Sequence, residues 1–324
     1  MNMKSKILFF GLVSFLCLTS FTSQAQFQLA NVSQLPKVKN GTTYVAMQDP
    51  NAPESKPYVD IIKKYWTFSK IEFIKYTDIG KYVTEQNSFF TVGGYETSVE
   101  TINLYKGGSS GINWSNTHIY LELWTVSDKY FTAKKKKELT NKDHVQIARI
   151  ELFTDFPTLM SPKNLYQTNY SGDGHIRNWS TGILKNYLQK LMQMLNSGNE
   201  QKLYDQIVNN EKVKELKNQT LYVPDYVLTK FNKFTGDETK KHDEKDIMED
   251  YKYKYSLVSI DELNKKILDD KNPIYYMVYI KSSTDKFITV LNSQTGEVVY
   301  SVYEPVSYNI KSDDLQDLSK KIGK

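Results

Sequence analysis

The clearest hydrophobic pattern of the chain lies near its middle and predicts one long helix. Apolar residues recur every three or four positions from Ile176 to Leu195, and Gly198 follows them. This spacing puts them on one stripe of an α-helix, and glycine is common just past a helix end. We therefore expect a helix over 176–197, followed by a weaker helical pattern over 203–208.

The segments before and after this helix carry the same order of elements. Residues 39–45 (KNGTTYV) and 217–223 (KNQTLYV) agree at five of seven positions. The elements that follow match in pairs: strands 70–75 and 254–259, short helices 78–85 and 261–269, strands 87–90 and 272–275, and later strands 118–126 and 145–153 against 287–291 and 297–303. Such self-similarity indicates a duplicated unit. The alternative is chance agreement in a chain rich in Lys, Asn and Tyr.

Three local signals support these element boundaries. Ser259 and Glu262 fit a capping box, in which the serine accepts a hydrogen bond from the backbone of the first helical turn. Ser312 can cap the last helix in the same way. Gly296 supplies the positive φ that a tight hairpin turn needs.

Together these patterns predict an α/β (or α+β) fold of two related units, each with a mixed sheet and flanking helices. The strand and helix order of each unit is similar to thioredoxin-like folds with one extra strand. We expect a first unit over 37–208 that includes the long connecting helix, a linker over 209–216 and a second unit over 217–324. Residues 26–36 would form an N-terminal extension.

Residues 1–25 have the pattern of a secretory signal peptide. Lys4 and Lys6 precede an apolar segment over 7–18, and residues 23–25 (SQA) offer a small-x-small cleavage site. Cys17 follows a leucine, whereas a lipoprotein signal needs a small residue there. We therefore expect export to the periplasm or the cell exterior, and a mature chain without cysteine.

Composition and charge narrow the class of protein further. With 40% hydrophobic and 24% charged residues, the chain is typical of folded globular proteins. The net charge of +5 falls to +3 when Lys4 and Lys6 leave, and Arg149 and Arg177 are the only arginines. Arginine is the usual reader of phosphates and base edges, so we expect no nucleic-acid partner. No apolar run of the mature chain is long enough to predict a membrane span.

One segment rich in glycine, serine and aromatic residues is our candidate for ligand binding. Residues 107–111 (GGSSG) match the GxSxG pattern of a nucleophile elbow, but no helical pattern follows, so we interpret the segment as a flexible loop. Trp114 on this loop and the nearby Tyr105 would stack on a sugar or a peptide. The alternative is that Trp114 packs back onto its own domain.

Residues 169–176 (NYSGDGHI) resemble the first half of an EF-hand calcium loop. Asn169, Ser171 and Asp173 would supply oxygen ligands at alternate positions. Ser180 stands where the loop needs a bidentate glutamate, so binding would be weak. Calcium is the only cofactor that we consider, and the alternative is a polar turn near the start of the long helix.

The remaining titratable residues form no motif. His118, His144, His175 and His242 lack the spacing of a zinc site, so any such site must be assembled from distant segments. The acidic residues over 237–246 are interleaved with lysines and fit a solvated surface. Neither a Walker loop nor a dinucleotide fingerprint is present in the sequence.

Three segments carry a resemblance: the SQAQ end of the signal, 172–179 (GDGHIRNW) and 221–234 (LYVPDYVLTKFNKF) resemble uncharacterised secreted proteins of Bacteroidota-type bacteria. The resemblance covers most of the chain and implies no activity. We therefore predict a non-catalytic binding or scaffolding protein of the cell envelope, whose partner is an envelope protein or a glycan. Two alternatives stay open: a hydrolase that uses scattered acidic and histidine residues, and a weak calcium-binding adhesion component.

Overall fold

A computed structural model describes residues 26–103, 108–133, 138–154, 176–203, 205–232, 238–282, 285–307 and 309–324, with the backbone alone for 96–103 and 108–117. Within these ranges, no helix combines the length and the apolar composition that crossing a membrane requires.

The first unit begins with strand β1 (Phe27–Leu29) and ends with the long helix α4 (Thr181–Ser197). Between them lie α1 (Leu35–Asn40), β2 (Thr42–Met47), α2 (Lys56–Tyr65), β3 (Lys70–Lys75), a 3₁₀ helix (Tyr76–Tyr82), β4 (Ser88–Asn103), β5 (Gly108–Val126), α3 (Asp128–Phe131) and β6 (His144–Leu152). Shorter 3₁₀ turns occupy Val32–Gln34 and Asn141–Asp143.

The second unit begins with strand β7 (Ile207–Val208) and ends with helix α8 (Ser312–Gly323). Between them lie α5 (Asn210–Val213), β8 (Leu221–Pro224), α6 (Glu244–Met248), β9 (Tyr255–Val258), α7 (Ile260–Leu268), β10 (Tyr275–Ser282), β11 (Asp285–Asn292) and β12 (Val298–Glu304). Its 3₁₀ turns occupy Lys214–Lys217 and Asp225–Leu228.

Each unit is built on a six-stranded mixed sheet, and the two sheets share one strand order. The first runs β1-β6-β5-β4-β2-β3 and the second β7-β12-β11-β10-β8-β9, so a shift of six strand numbers converts one into the other. In the first sheet β2 is parallel to β3 and β4, and in the second β8 is parallel to β9 and β10. All other neighbouring strands are antiparallel. The predicted pair of related α/β units with mixed sheets is therefore confirmed.

Several local predictions are confirmed as well. Strand β3 covers 70–75 as the alternation indicated. Ser259 caps α7, because its Oγ accepts a hydrogen bond from Glu262 N at 3.2 Å. Gly198 ends α4 with a φ of 64°, and Gly296 turns the last hairpin with a φ of 67°. At both glycines the backbone adopts a conformation that other residues rarely accept.

Pairing with a distant strand overrode three local predictions. Residues 108–116, which we expected as a flexible loop, form part of β5 because they pair with β4. Residues 207–208, expected in a helix, form β7 against β12. Strand β1, which lies in the segment expected as an N-terminal extension, pairs with β6. With β1 in the first sheet and β7 in the second, each sheet has one more strand than the pattern suggested.

Two helix starts also differ from expectation. Helix α4 begins five residues after Ile176, because Ser180 Oγ accepts a hydrogen bond from Ile183 N at 3.2 Å and caps the helix there. Ser312 is not the cap of α8 but its first residue. The backbone N–H of Lys311 instead donates to Asp314 Oδ2 at 2.8 Å.

Helix α4 is buried between the two units. Its apolar stripe packs on the first sheet, where the Tyr187 ring meets Phe27 edge to face at 5.8 Å. Its other side contacts the second unit through polar groups. Tyr276 Oη donates to Asn186 Oδ1 at 2.9 Å, and Asn186 Nδ2 donates to the carbonyl of Ser293 at 2.8 Å. Most of the buried hydrophobic residues of the two units therefore form one continuous core.

A glycine on α4 tests how tightly this helix packs against the second unit. A Cβ added at Gly182 would lie 2.9 Å from Ile267 Cβ and 2.9 Å from Asn264 Oδ1. We expect Gly182→Ala to lower the free energy of unfolding by about 1–3 kcal/mol, the usual effect of overpacking. Chemical denaturation measures it. Gly80→Ala is the matched control, since a Cβ there meets nothing within 4 Å. Equal stability of the two variants would contradict tight packing of α4.

Candidate functional site

The two faces of the first sheet have opposite character. Side chains alternate along a strand, so successive residues of β4 and β5 point to different faces. Phe90, Leu121 and Leu123 lie on the inner face, which is packed in the main core. The outer face carries a row of polar and aromatic residues from three adjacent strands: Thr91, Tyr95, His118, Tyr120, Glu122, Arg149 and Glu151.

One end of the outer face is covered by its own unit. Phe89 and Trp124 form a small separate core there, against which the 3₁₀ helix and Phe131 of α3 pack. Phe89 of the first sheet corresponds to Tyr276 of the second. Phe89 lies opposite Tyr44 of β2, and Tyr276 lies opposite the matching Tyr222 of β8. Tyr276 is covered by α4. This face of the sheet is therefore covered by the 3₁₀ helix and α3 in the first unit, and by α4 in the second.

Next to this small core, the side chain of Glu122 is buried and accepts three hydrogen bonds. Its Oε2 accepts from His144 Nε2 at 3.0 Å and from Gln146 Nε2 at 3.1 Å. Its Oε1 accepts from Thr91 Oγ1 at 3.4 Å. The His144 ring also stacks on Trp124, with the ring centroids 4.3 Å apart. A buried carboxylate needs such partners, so this arrangement supports the sheet.

A glycine makes room for this row. A Cβ at Gly93 would lie 2.5 Å from Glu122 Oε1 and 2.8 Å from Tyr120 Cε2. Both side chains therefore cross the backbone of β4 where it has no side chain. Glycine in a strand often marks such a close approach.

Farther along the row, Arg149 and Glu151 form a buried ion pair. Glu151 is 1% exposed, and Arg149 Nε donates to its Oε1. The guanidinium lies over the Tyr120 ring, 3.8 Å from its centroid. Burial raises the pKa of Glu151, while Arg149 and a hydrogen bond from Ser282 act in the opposite direction. The carboxylate therefore depends on Arg149 to stay ionised.

The second unit completes this cluster through Ser282 at the end of β10. Ser282 Oγ donates to Glu151 Oε2 at 3.2 Å and lies 3.2 Å from His118 Nδ1. A hydroxyl has one proton, and here Glu151 accepts it, so His118 Nδ1 must carry a hydrogen and donate to Ser282. Burial and then Arg149 lower the pKa of His118, which favours the neutral ring.

Above the ion pair, flat side chains form a stacked surface that we call the Tyr95 platform: Tyr95, His118, Tyr120 and Arg149. The Tyr95 and His118 rings stack with centroids 4.5 Å apart, and Arg149 lies 5.9 Å from the Tyr95 centroid. Tyr95 is 44% exposed, although it lies within a strand. Burial, followed by Glu122, raises the pKa of Tyr120 to about 12, so its hydroxyl stays protonated.

This geometry suits binding better than nucleophilic catalysis. A nucleophilic serine needs a base that takes its proton. Here Ser282 is only 5% exposed, which closes its oxygen to a substrate, and His118 approaches the serine with an N–H rather than a lone pair. The exposed part of the cluster is instead a flat surface, led by the ring of Tyr95.

Most site residues that the sequence suggested cannot be placed in this cluster. Tyr105, Asn169, Ser171 and Asp173 lie outside the described residues. The backbone of Trp114 lies in β5 opposite Val99 rather than in a loop, and its side chain is likewise outside the description. In the part of the chain that is described, no three His, Cys, Asp or Glu side chains lie close enough to hold a metal ion.

Sequence reasoning missed Tyr95, Arg149 and Glu151. One signal was available, because Arg149 and Glu151 are the two charged residues of the otherwise apolar segment 147–153, and charges on a buried strand need partners. Among the histidines, the rings of His118 and His144 lie on the outer face, the ring of His242 hydrogen-bonds Asn309 on the second unit, and His175 lies outside the described residues.

Comparison with known proteins gives no identity: the chain matches no protein-family model, no curated protein and no solved structure at a significant level.

The Arg149–Glu151 pair predicts an asymmetric effect of removing either partner. Arg149→Met leaves a buried carboxylate without its cation and should lower the free energy of unfolding by about 3 kcal/mol or more. Glu151→Gln should cost less, because Arg149 keeps its contact with Tyr120. The double variant should recover part of the loss, as a double-mutant cycle by chemical denaturation would measure.

The loss in Arg149→Met should also depend on pH. An unpaired Glu151 has a folded-state pKa above its unfolded value, so its protonated form favours the folded state. The variant then keeps its stability below the pKa that Glu151 has in the unfolded chain. It loses stability as the pH rises through the higher pKa that Glu151 has in the folded chain. The variant should be more destabilised at about pH 8 than at about pH 4. A pH-independent loss would mean that Glu151 is not the group left unpaired.

Proposed function

We propose that this chain is an exported, non-catalytic binding protein of the bacterial cell envelope, acting in the periplasm or at the cell surface, and that a protein partner docks on the Tyr95 platform. The signal-like pattern over 1–25 supports the export. The platform itself is the observation that carries the proposal.

Its residue types are those on which protein interfaces depend most. Tyrosine and arginine are enriched among the few residues that contribute most of the binding energy. Here Tyr95 is held by stacking on His118, and Arg149 by Tyr120 and Glu151. Side chains that are already ordered lose little entropy on binding, which favours affinity.

The hairpin that bears the platform is longer than its counterpart. β4 and β5 have 16 and 19 residues, whereas β10 and β11 have 8 each. The pairing of β5 with β6 ends at Ile119, and within the described residues the hairpin continues alone beyond it. At about 3.3 Å per residue, the eight residues from 96 to 103 extend about 26 Å. An element lengthened in only one of two related units indicates a specialised role.

The second unit supports the platform from below. Ser282 joins Glu151 and His118 across the boundary between the units, so the platform depends on both. Nearby, the Phe153 ring packs edge to face against Tyr279 at 5.5 Å. A binding surface built across this packed junction fits a scaffolding role.

A single substitution tests the platform. Tyr95→Ala should weaken the partner complex at least about tenfold, because the exposed ring is lost while the sheet remains. The partner is first identified by placing a photocrosslinking phenylalanine analogue at position 95 in intact cells, and affinity is then measured by calorimetry. Leu268, 39% exposed on the second unit, is the control position for crosslinking and for substitution by alanine.

Each outcome of this experiment has a defined meaning. A discrete protein adduct at position 95 but not at 268, with the affinity loss confined to Tyr95→Ala, supports the proposal. Identical adducts at both positions would contradict it. Glycan binding that Tyr95→Ala abolishes, without any protein adduct, would replace the protein partner with a carbohydrate.

A hydrolase is the second candidate, and one observation favours it: His144 Nε2 contacts Glu122 Oε2 at 3.0 Å on the outer face. An oriented histidine of this kind can act as a general base. If it does, His144→Ala should lower hydrolysis of ester or glycoside probes by about 100-fold or more with the fold intact. Equal activity of the purified wild type and His144→Ala, or none in either, would reject this candidate.

A further inference from the structure

A cleft on the second unit lies apart from the Tyr95 platform, where helix α4 passes strands β7 and β12. Its volume is about 510 Å³, within the range of small-molecule sites. The lining comes from α4, from β7 and the residue after it, and from the last hairpin: Lys190, Gln193, Ile207, Val208, Asn209, Thr295, Glu297 and Val298.

Lys190 is the cation of this cleft. No hydrogen bond or ion pair joins it to any residue in the part of the chain that the structure describes. Burial lowers the pKa of Lys190, and Glu297 partly offsets that effect. A half-buried ammonium that no carboxylate contacts directly is unfavourable, so the cleft favours a ligand that brings a negative group.

Glu297 is the anion of the cleft, and it is held in place. Its Oε1 accepts a hydrogen bond from Asn209 Nδ2 at 2.7 Å. Glu297 acts on Lys190 electrostatically, yet the two do not form an ion pair within the described structure. The cleft therefore presents two separated charges of opposite sign.

The lining is mixed, and three aliphatic residues form its apolar part. Ile207, Val208 and Val298 offer aliphatic side chains. At the rim, Gln193 Nε2 donates to the carbonyl of Thr295 at 3.0 Å, which joins α4 to the turn of the last hairpin. Apolar side chains beside fixed polar groups are the combination by which small-molecule sites bind and orient a ligand.

We propose that this cleft binds a small zwitterion with an apolar side chain, namely a free amino acid or a short peptide with free termini. The ligand carboxylate pairs with Lys190, its ammonium group pairs with Glu297, and its side chain packs on Ile207, Val208 and Val298. This proposal is independent of the Tyr95 platform, since the two sites share no residue.

The ligand class is tested with four leucine compounds in calorimetric titrations of the full mature chain. L-leucine and L-leucyl-L-leucine carry both charges, N-acetyl-L-leucine lacks the ammonium group, and L-leucinamide lacks the carboxylate. We expect the first two to bind and each blocked compound to bind at least about tenfold more weakly. If the dipeptide binds more tightly, the ligand class is short peptides. If leucine binds more tightly, the ligand class is free amino acids.

Two charge-removing variants test the residues. Lys190→Met keeps the aliphatic stem, and Glu297→Gln keeps an acceptor for Asn209. Each should weaken leucine binding at least about tenfold. Lys265→Met removes an exposed lysine of α7 that does not line the cleft, and it should leave binding unchanged. Because Lys190→Met removes a half-buried unpaired charge, its thermal stability should not fall.

A spectroscopic measurement gives a second readout. The pKa of Lys190, followed by NMR of labelled lysine, should rise when leucine saturates the protein, because a carboxylate then faces the ammonium group. Equal binding of L-leucine and N-acetyl-L-leucine would overturn the proposal in favour of a simple anion site. Absence of binding by all four compounds at millimolar concentration would also overturn it.

Discussion

Helix α4 is buried on both of its sides, and the arrangement of the two units depends on this constraint. Its apolar stripe covers the first sheet, as the spacing of its apolar residues predicts. The side toward the second unit is polar, with Asn186 satisfied by Tyr276 and Ser293 and with Lys185 Nζ donating to the carbonyl of Ile267 at 3.1 Å. Buried polar groups need partners, and in this placement the second unit supplies them.

The two units share one strand order, and one connection explains why their sheets are covered differently. In the second unit, β11 and β12 are joined by a tight turn, which leaves the sheet face free for α4. In the first unit, the segment between β5 and β6 contains α3, which folds over the equivalent face near Phe89. Only the far end of that face, with the lengthened hairpin, is left to carry the Tyr95 platform.

Buried charges hold this end in position: Arg149 and Glu151, with Ser282, tie the first sheet to the end of β10. Such groups are stable only with their partners in place, so they specify one geometry.

Much of the fold was predictable from local spacing. The stripe of α4, the alternation of 70–75 and the cap at Ser259 each encode which side of an element is apolar or where it begins. The repeated segments at 39–45 and 217–223 indicated the duplication, which the identical strand orders match. These features are local because a period of 3.6 or 2 residues, or a capping hydrogen bond, depends only on near neighbours.

Tertiary structure decided the remainder. Strand β7 has two residues and a weak helical pattern, and it is a strand only because β12 lies beside it. Residues 108–116 are rich in glycine and serine, yet pairing with β4 extends them. The contact between Glu151 and Ser282 spans 131 residues of sequence, and no local pattern encodes it. The sequence by itself determined the elements and their apolar faces. Which faces meet, and therefore which polar groups converge into a site, depends on strand pairing and packing between distant segments.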